Sequence, residues 1–286
     1  MVSRSYLYVP GDDPGKLRKA AGRGADALII DLEDAVPPGG KQRARSIVAD
    51  WLTDRELTAQ PEIWVRINPG AAGHQDLTAL PYRGLAGVLV AKTETRDELT
   101  AIDELLTRRE REQSLPLGAL AVVPLLESAV AILDARDIAR APRVARLQVG
   151  EADLAAGIGL DPDADGRQWA PIRTQIVLVS AAAGIAPPVA PVDTDYRDLT
   201  ALAASTRELA RLGFVGRACI HPAQVPVVNA AFDPDPVAVR RARELVHAYR
   251  ESLAAGAGVF VGVDGRMVDL AVVRQAERTL ELARRR

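Results

Sequence analysis

Two acidic residues stand just behind two short apolar runs in the middle of the chain. Glu127 follows the run Ala119–Val123, and Asp153 follows the run Leu147–Val149. Residues 129–141 keep apolar side chains at helical spacing, which predicts a strand–helix–strand unit. Because neighbouring parallel strands end at one rim, the two carboxylates are expected to lie close together and to suit a hard divalent cation. The alternative is that both acids only start helices, where the helix dipole favours negative charge.

Other charged residues follow or interrupt other apolar runs in the same way. Asp31 and Glu33 come directly after Ala27–Ile30, where they can cap a helix or bind the metal through water. Arg66 lies inside the run Ile63–Ile67, and a buried cation is costly unless it meets an anion. We interpret Arg66 as the group that grips a carboxylate, from substrate or protein, in two-pronged fashion. The alternative is a structural ion pair with the acids that follow Ala27–Ile30.

Candidate substrate-binding residues are drawn from the same strand ends. Lys92 stands just past the apolar run Gly87–Val90, and Glu151 stands two residues before Asp153. The candidate substrate-binding set is Arg66, Lys92, Glu127, Glu151 and Asp153.

Composition limits the function classes. The chain has 286 residues and a formal net charge of −2, which argues against a surface that coats nucleic acid. Aromatic residues make up 4%, so base-stacking platforms are not expected. The single cysteine, Cys219, excludes an internal disulfide framework and a multi-cysteine zinc site. No signal-peptide pattern and no apolar run of membrane-spanning length is present, so we expect a cytoplasmic protein with no membrane partner.

Alternation of strands and helices predicts the fold class. The predicted strands are Ser5–Val9, Ala27–Ile30, Ile63–Ile67, Gly87–Val90, Ala119–Val123, Leu147–Val149, Ile185–Val192 and Arg217–Ile220. Eight strand–helix repeats indicate an α/β fold closed as a (β/α)8 TIM barrel, whose chemistry sits at the carboxyl ends of the strands. We predict a catalytic barrel over residues 1–230 and a C-terminal helical lid extension over residues 231–286.

Several motifs then resemble a known family. They are RSYLYVPG (4–11), GADALIIDLEDAV (24–36), WVRINP (64–69), PLLESA (124–129), VGEADLAAGIG (149–159), LGFVGRACIHPAQV (212–225) and DGRMVD (264–269). In this order, and over nearly the whole chain, they are similar to the citrate lyase β-subunit-like (CitE-like) family of the aldolase/citrate lyase group. Two positions depart from the family pattern: Leu270-Ala271 follows the triplet that ends at Asp269, and the run before Val192 lacks an aspartate.

The resemblance implies a site and an assembly. It implies that Glu127 and Asp153 hold Mg²⁺ and that Arg66 binds the carboxylate of a keto acid. It further implies that Asp269 donates and accepts a proton in the active site of a neighbouring subunit. For that role the extension must fold over a rim, and we expect Gly256, Gly258 and Gly262 to supply the hinge. The expected assembly is a homotrimer or a hexamer made of two trimers. The alternative for Asp269 is that it only caps the terminal helix.

These expectations combine into one functional hypothesis. The chain is expected to be a Mg²⁺-dependent carbon–carbon lyase that cleaves or forms a 3-hydroxyacyl-CoA thioester such as citramalyl-, malyl- or citryl-CoA. The products are a keto acid (pyruvate, glyoxylate or oxaloacetate) and acetyl-CoA or a related thioester. Two alternatives stay open: a citrate lyase subunit that needs an acyl-carrier partner, and a CoA-independent Mg²⁺ aldolase.

Overall fold

A computed structural model describes residues 3–55, 61–163, 166–254, 256, 259–262 and 267–284. The chain divides into two compact units, one spanning Ser3–Asn229 and the other made mainly of Ala230–Arg286. No described helix combines the length and the apolar composition needed to cross a bilayer.

The larger unit contains a curled parallel sheet of seven strands. Its strands are β1 (Ser5–Pro10), β2 (Ala27–Asp31), β3 (Glu62–Ile67), β4 (Gly87–Val90), β5 (Ala121–Leu126), β6 (Gln148–Val149) and β7 (Arg217–Cys219). They lie in the order β6-β5-β4-β3-β2-β1-β7, with every neighbour parallel. Most strand residues are buried, as expected where a parallel sheet is covered on both faces. The predicted α/β class is confirmed at this level.

Helices connect successive strands. Those of the larger unit are α1 (Pro14–Ala20), α2 (Lys41–Asp54), α3 (Gly70–Ala79), α4 (Arg96–Glu112), α5 (Ala129–Leu133), α6 (Ala135–Ile138), α7 (Glu151–Ile158), α8 (Ala170–Ala183), α9 (Leu199–Leu212) and α10 (Gln224–Phe232). Helix α10 begins in the larger unit and ends in the smaller one, because the division falls after Asn229. The predicted single helix over residues 129–141 is wrong, because the chain breaks at Asp134, with φ −92° and ψ 6°. Helices α3 and α10 were not predicted, whereas α7 begins near Asp153, where the alternative interpretation of that acid placed a helix start.

The concave side of the sheet is filled by side chains from alternate strand positions. This core comprises Tyr6, Ala27, Ile29, Trp64, Leu89, Val123, Val189 and Ala218, all buried. Successive side chains of a strand point to opposite faces, so every second residue of β1 to β5 reaches this core. The other positions pack against the surrounding helices.

The predicted seventh strand, Ile185–Val192, is not a regular strand. Val189 N–H donates to the Leu147 carbonyl at 2.9 Å, and Ala190 N–H donates to the Gly216 carbonyl at 2.8 Å. These contacts form two isolated parallel bridges, one toward β6 and one toward β7. A regular ladder is blocked because the segment contains three prolines, which have no N–H to donate.

The smaller unit is built on two helices and a short antiparallel strand pair. Helices α11 (Pro236–Ala254) and α12 (Leu270–Ala283) enclose a small apolar core, and β8 (Phe260–Val261) pairs antiparallel with β9 (Met267–Val268). A small strand pair or a hinge is expected over residues 256–263; β8 lies in that stretch, and its partner β9 lies beyond it, at Met267–Val268. Of the predicted hinge glycines, Gly258 lies outside the described residues, and the hinge itself stays a prediction.

Candidate active site

A cavity of about 430 Å³ opens at the carboxyl ends of the strands in the larger unit. Its charged lining residues are Asp31, Asp34, Arg66, Glu127, Glu151 and Asp153. They come from the ends of β2, β3 and β5 and from the first turn of α7, because parallel strands finish at one rim. The sequence-predicted residues are thus brought together, although Glu33 and Lys92 lie beside the cavity rather than in its wall.

Glu127 is the most perturbed acid of the cavity. Its side chain is buried, and Oε2 accepts the backbone N–H of Lys92 at 2.7 Å. Burial, and next the negative charge of Asp153, raise the pKa of Glu127 to about 7. Asp153 itself is exposed, in the first turn of α7. Two carboxylates that repel each other in a polar cavity are the arrangement that a bound cation relieves.

The donor set fits a hard divalent ion that keeps water and substrate as ligands. Among the described residues no group of three or more His, Cys, Asp and Glu side chains could hold a metal by itself. Two carboxylates provide oxygen ligands only, which suits Mg²⁺ better than a metal that prefers nitrogen or sulfur. The residues present therefore fit Mg²⁺ with open coordination positions.

Gly150 makes room for the Glu127 side chain. A Cβ atom at position 150 would stand 2.5 Å from Glu127 Oε1 and 2.6 Å from its Cγ. A Cβ atom does not approach non-bonded atoms this closely, so any side chain here would displace the carboxylate. The glycine of the motif is required by this close approach and not by its backbone angles, which are φ −90° and ψ 86°.

Lys92 serves the site through its backbone as well as its side chain. Its φ is +51°, which L-residues other than glycine seldom adopt, and this conformation accompanies the N–H bond to Glu127. The Nζ atom bonds Glu33 Oε1 at 2.7 Å, and this bond raises the pKa of Lys92. A sequence pattern could identify Lys92 as a strand-end cation, but not its backbone role.

Arg66 makes the ion pair with the acids that follow Ala27–Ile30, which was named as the alternative to a substrate carboxylate. Its Nε and Nη2 donate to the two oxygens of Asp31 at 2.7 and 2.6 Å, while Nη1 lies 3.1 Å from Glu33 Oε2 and 3.4 Å from Asp34 Oδ2. Burial would lower the pKa of Arg66, but the bond to Asp31 raises it. The two-pronged grip is therefore made on a protein carboxylate. Contact with a substrate carboxylate stays a prediction, as does metal binding through water by Asp31 and Glu33.

The end of β2 and the loop after it, which carry these three acids, are held by side chains of neighbouring elements. The Leu32 carbonyl accepts Lys41 Nζ and Asn68 Nδ2, each at 2.8 Å, and Lys41 Nζ also donates to the Glu33 carbonyl at 2.6 Å. Asp76 fixes Asn68 in turn, by accepting both its backbone N–H and its amide. Sequence reasoning missed these supports, because Lys41 and Asp76 stand on helices with no motif around them.

The carboxylate of Glu151 is bonded to a side chain of α8. Both of its oxygens accept from Arg173 of α8, from Nε at 2.7 Å and from Nη2 at 2.8 Å. It lines the cavity, but its predicted contact with substrate is untested and stays a prediction.

Two polar cavity residues were missed. Tyr8 lies under the Arg66 guanidinium, 5.1 Å from ring centroid to Cζ, and burial raises the pKa of its hydroxyl. Gln148 is buried, and its Oε1 accepts no hydrogen bond from the part of the chain that the structure describes. The sequence signal that could have identified Gln148 is its position as a polar residue within the apolar run Leu147–Val149.

Asp269 belongs to the smaller unit, where it caps α12. Its Oδ1 accepts the backbone N–H groups of Ala271 at 3.0 Å and Val272 at 3.1 Å. The alternative role named for this residue is therefore present in the structure. Its proton-transfer role stays a prediction.

Comparison with known proteins places this site in context. The chain is 30% identical to citrate lyase subunit beta of Leuconostoc mesenteroides, covering 99% of this chain and 93% of that protein. It is 32% identical to mitochondrial citramalyl-CoA lyase of Rattus norvegicus, covering 98% and 86%. The crystal structure of the protein CitE from Mycobacterium tuberculosis in complex with magnesium, acetoacetate and coenzyme A is 30% identical, with a TM-score of 0.77, and covers 98% of this chain and 97% of that one.

The family model described as HpcH/HpaI aldolase/citrate lyase matches residues 4–222, which include every charged residue of the cavity. The chain belongs to the HpcH/HpaI aldolase/citrate lyase family.

Proposed function

We propose that this protein is a Mg²⁺-dependent carbon–carbon lyase acting on a 3-hydroxyacyl-CoA thioester. It cleaves, or in reverse forms, the bond between a keto acid and acetyl-CoA or a related acyl-CoA. The observation that carries the proposal is the pair Glu127 and Asp153, two repelling carboxylates in a cavity at the carboxyl ends of the strands. Family membership, and relatives that are named as lyases of citramalyl-CoA and citrate, support the same reaction class.

Glu127 and Asp153 would hold Mg²⁺. When bound there, the ion supplies the positive charge that acidifies the substrate hydroxyl and stabilises negative charge while the carbon–carbon bond breaks. The protein's own groups do the positioning. The Lys92 N–H fixes one Glu127 oxygen, and Gly150 lets the carboxylate lie against the backbone.

Arg66 is proposed to orient the substrate carboxylate. Its guanidinium lines the cavity and is held rigidly by Asp31 and by the Tyr8 ring beneath it. Such a cation costs little reorganisation when an anion arrives, so it favours one orientation of the reacting carbon.

Asp269 is proposed to protonate the thioester enolate that leaves in the cleavage direction. Its Oδ1 is used by two backbone N–H groups of α12, so Oδ2 is the oxygen that would carry the proton to the enolate carbon. This role requires the C-terminal extension to cover the active site of a neighbouring subunit. We therefore also propose a homotrimer or hexamer, and closure of the sheet into an eight-stranded barrel through residues 185–192.

The test is a thioester-cleavage assay on the purified chain alone. Malyl-, citramalyl-, β-methylmalyl- and citryl-CoA are supplied with and without Mg²⁺, and the released keto acid and thioester are measured. Mg²⁺-dependent release of both products from at least one substrate is expected, with Glu127→Gln inactive. No release from any of the four would contradict the proposal.

A second candidate function is favoured by the similarity to a citrate lyase subunit. In that case the chain would act only on a thioester carried by a partner protein. It would then bind Mg²⁺ and keto acid normally while leaving all four free CoA thioesters intact.

A further inference from the structure

We infer that the cavity selects keto acids that carry one carboxylate and whose other substituent on the keto carbon is hydrogen or a small alkyl group. The matching thioesters release glyoxylate, pyruvate or 2-oxobutyrate rather than oxaloacetate. This inference rests on the proposed function and narrows its substrate class. It depends on two observations, the charge balance of the cavity and the apolar composition of one wall.

The charge balance disfavours a second carboxylate. Arg66 is the one cation among the described residues that line the cavity, against five acids. With neighbouring Glu33, Lys92 and Arg173 included, six carboxylates face three cations. A bound Mg²⁺ offsets two of the three excess negative charges. One substrate carboxylate can be held by the metal and Arg66, but a second adds an anion to a cavity that is already negative.

Each of the three cations already has a carboxylate partner. Arg66 contacts Asp31 through two nitrogens and faces Glu33 through a third. Lys92 bonds Glu33 at 2.7 Å. Arg173 bonds both oxygens of Glu151. With Arg66 assigned to the first carboxylate, a distal carboxylate would have to displace the bond of Lys92 to Glu33 or the bonds of Arg173 to Glu151 and leave a protein acid without its partner.

The wall that a substituent could meet is apolar. Val192, from the proline-rich segment, and Ile220, just after β7, line the cavity together with Leu125. Ile220 is 42% exposed, so it presents apolar surface that a methyl or ethyl group could cover.

The backbone N–H groups of Ile220 and His221 at this wall already have an acceptor. The N–H of Ile220 donates to Gln224 Oε1 at 2.8 Å, and the N–H of His221 donates to the same oxygen at 3.2 Å. A carboxylate placed here would lose its water without gaining these hydrogen bonds, whereas an alkyl group needs none.

Binding of keto acids to the Mg²⁺-loaded protein tests the inference without requiring turnover. Calorimetric titrations compare 2-oxobutyrate with oxaloacetate, two acids of similar size that differ in the charge of the substituent, and include glyoxylate and pyruvate. We expect 2-oxobutyrate and pyruvate to bind at least about tenfold more tightly than oxaloacetate. Equal or tighter binding of oxaloacetate would contradict the inference and leave the proposed function standing. No binding of any keto acid would contradict both.

Two variants locate the selection at the apolar wall. Ile220→Arg supplies a cation beside the substituent and should reduce the preference against oxaloacetate by about tenfold. Ile220→Met has a similar volume without charge and should retain the wild-type preference. An unchanged preference in Ile220→Arg, with the protein folded and binding pyruvate, would show that the substituent does not meet this wall.

Discussion

At the scale of single residues, Glu127 carries the largest part of the site's chemistry. Burial and the charge of Asp153 hold its pKa at about 7, more than two units above the ordinary glutamate value of 4.5. A carboxyl group whose pKa is raised in this way is a natural ligand for a cation, because the positive charge opposes both the repulsion from Asp153 and the cost of burying the negative charge. Two predictions follow from the protonation of this one group.

As the pH increases toward 7, the Mg²⁺ affinity of the wild type should rise about tenfold per pH unit, and above pH 7 it should level off. Glu127 must lose its proton to bind the ion, so binding competes with protonation. Isothermal titration calorimetry between pH 5.5 and 8.5 measures this profile. Glu127→Gln should bind weakly with no such slope, and a flat wild-type profile would rule out Glu127 as a ligand.

Without metal, ionisation of Glu127 should cost folding stability. Its folded pKa of about 7 lies above the ordinary value of 4.5, so its contribution is fully present below pH 4.5 and is lost as pH rises through 7. The free energy of unfolding of wild type relative to Glu127→Gln should therefore fall by up to about 3 kcal/mol over this window. Urea titrations at several pH values in EDTA provide the measurement. A difference that stays constant, or that grows with pH, would contradict the raised pKa.

At the scale of elements, short backbone segments at the strand ends aim the functional groups. Gly150, between β6 and α7, lies against the Glu127 side chain. The loop after β2 is held by Lys41 of α2 and by Asn68 after β3, so neighbouring strand ends stabilise one another's loops. The loop is positioned by side chains of neighbouring elements that donate to its backbone carbonyls.

Gly150→Ala should weaken Mg²⁺ binding by at least about tenfold while the protein stays folded. The new Cβ would occupy the place of the Glu127 carboxylate and push it away from Asp153. Gly157→Ala is the matched control, because a Cβ there meets no atom within 4 Å and position 157 lies inside α7. Calorimetry with Mg²⁺ compares the two variants. Normal binding by Gly150→Ala would show that Glu127 need not occupy its present position.

Lys41→Met should weaken keto-acid binding by about tenfold and leave Mg²⁺ affinity close to wild type. Two carbonyls of the acidic loop lose their shared donor, so the loop and the Arg66 that it holds become less ordered. Lys19→Met, on the exposed side of α1, is the control. Titration of each variant with Mg²⁺ and then with pyruvate separates the two effects. Parallel loss of both affinities would indicate general destabilisation instead.

At the scale of the whole molecule, long-range ion pairs hold the larger unit together around the site. Glu110 of α4 is fully buried and bonds Arg143, which lies in the connection between α6 and β6. The same carboxylate accepts the backbone N–H groups of Gly118 and Leu120, just before β5. One side chain therefore ties a helix to the segments on either side of the strand that presents Glu127.

Glu110→Gln should lower the free energy of unfolding by about 3 kcal/mol, because Arg143 stays buried with a weaker partner. Glu112→Gln removes the same charge from an exposed pair with Arg109 and should change stability by less than about 1 kcal/mol. Chemical denaturation of both variants tests the contrast. Similar losses would mean that burial of Glu110 is not what makes its ion pair important.

The sequence by itself determined the α/β class, seven of the eight strand positions to within three residues at either end, and the rim where the charged residues meet. These features depend on local periodicity and on the rule that parallel strands end on the same side, so they can be read along the chain. Glu127 and Asp153 were found because each follows its own apolar run. Gln148 was within reach of the same reasoning, as a polar residue inside an apolar run.

Only the tertiary structure decided which groups meet. Arg66 stands 35 residues from Asp31, and Lys92 stands 59 residues from Glu33, so nothing local selects these partners over others. The clamp on the loop after β2, and the need for glycine at position 150, likewise arise from elements that are distant in sequence. The segment 185–192 makes isolated bridges because its neighbours on both sides impose pairing that its prolines oppose. Partner choice depends on distance and burial in the folded chain, which a sequence pattern does not contain.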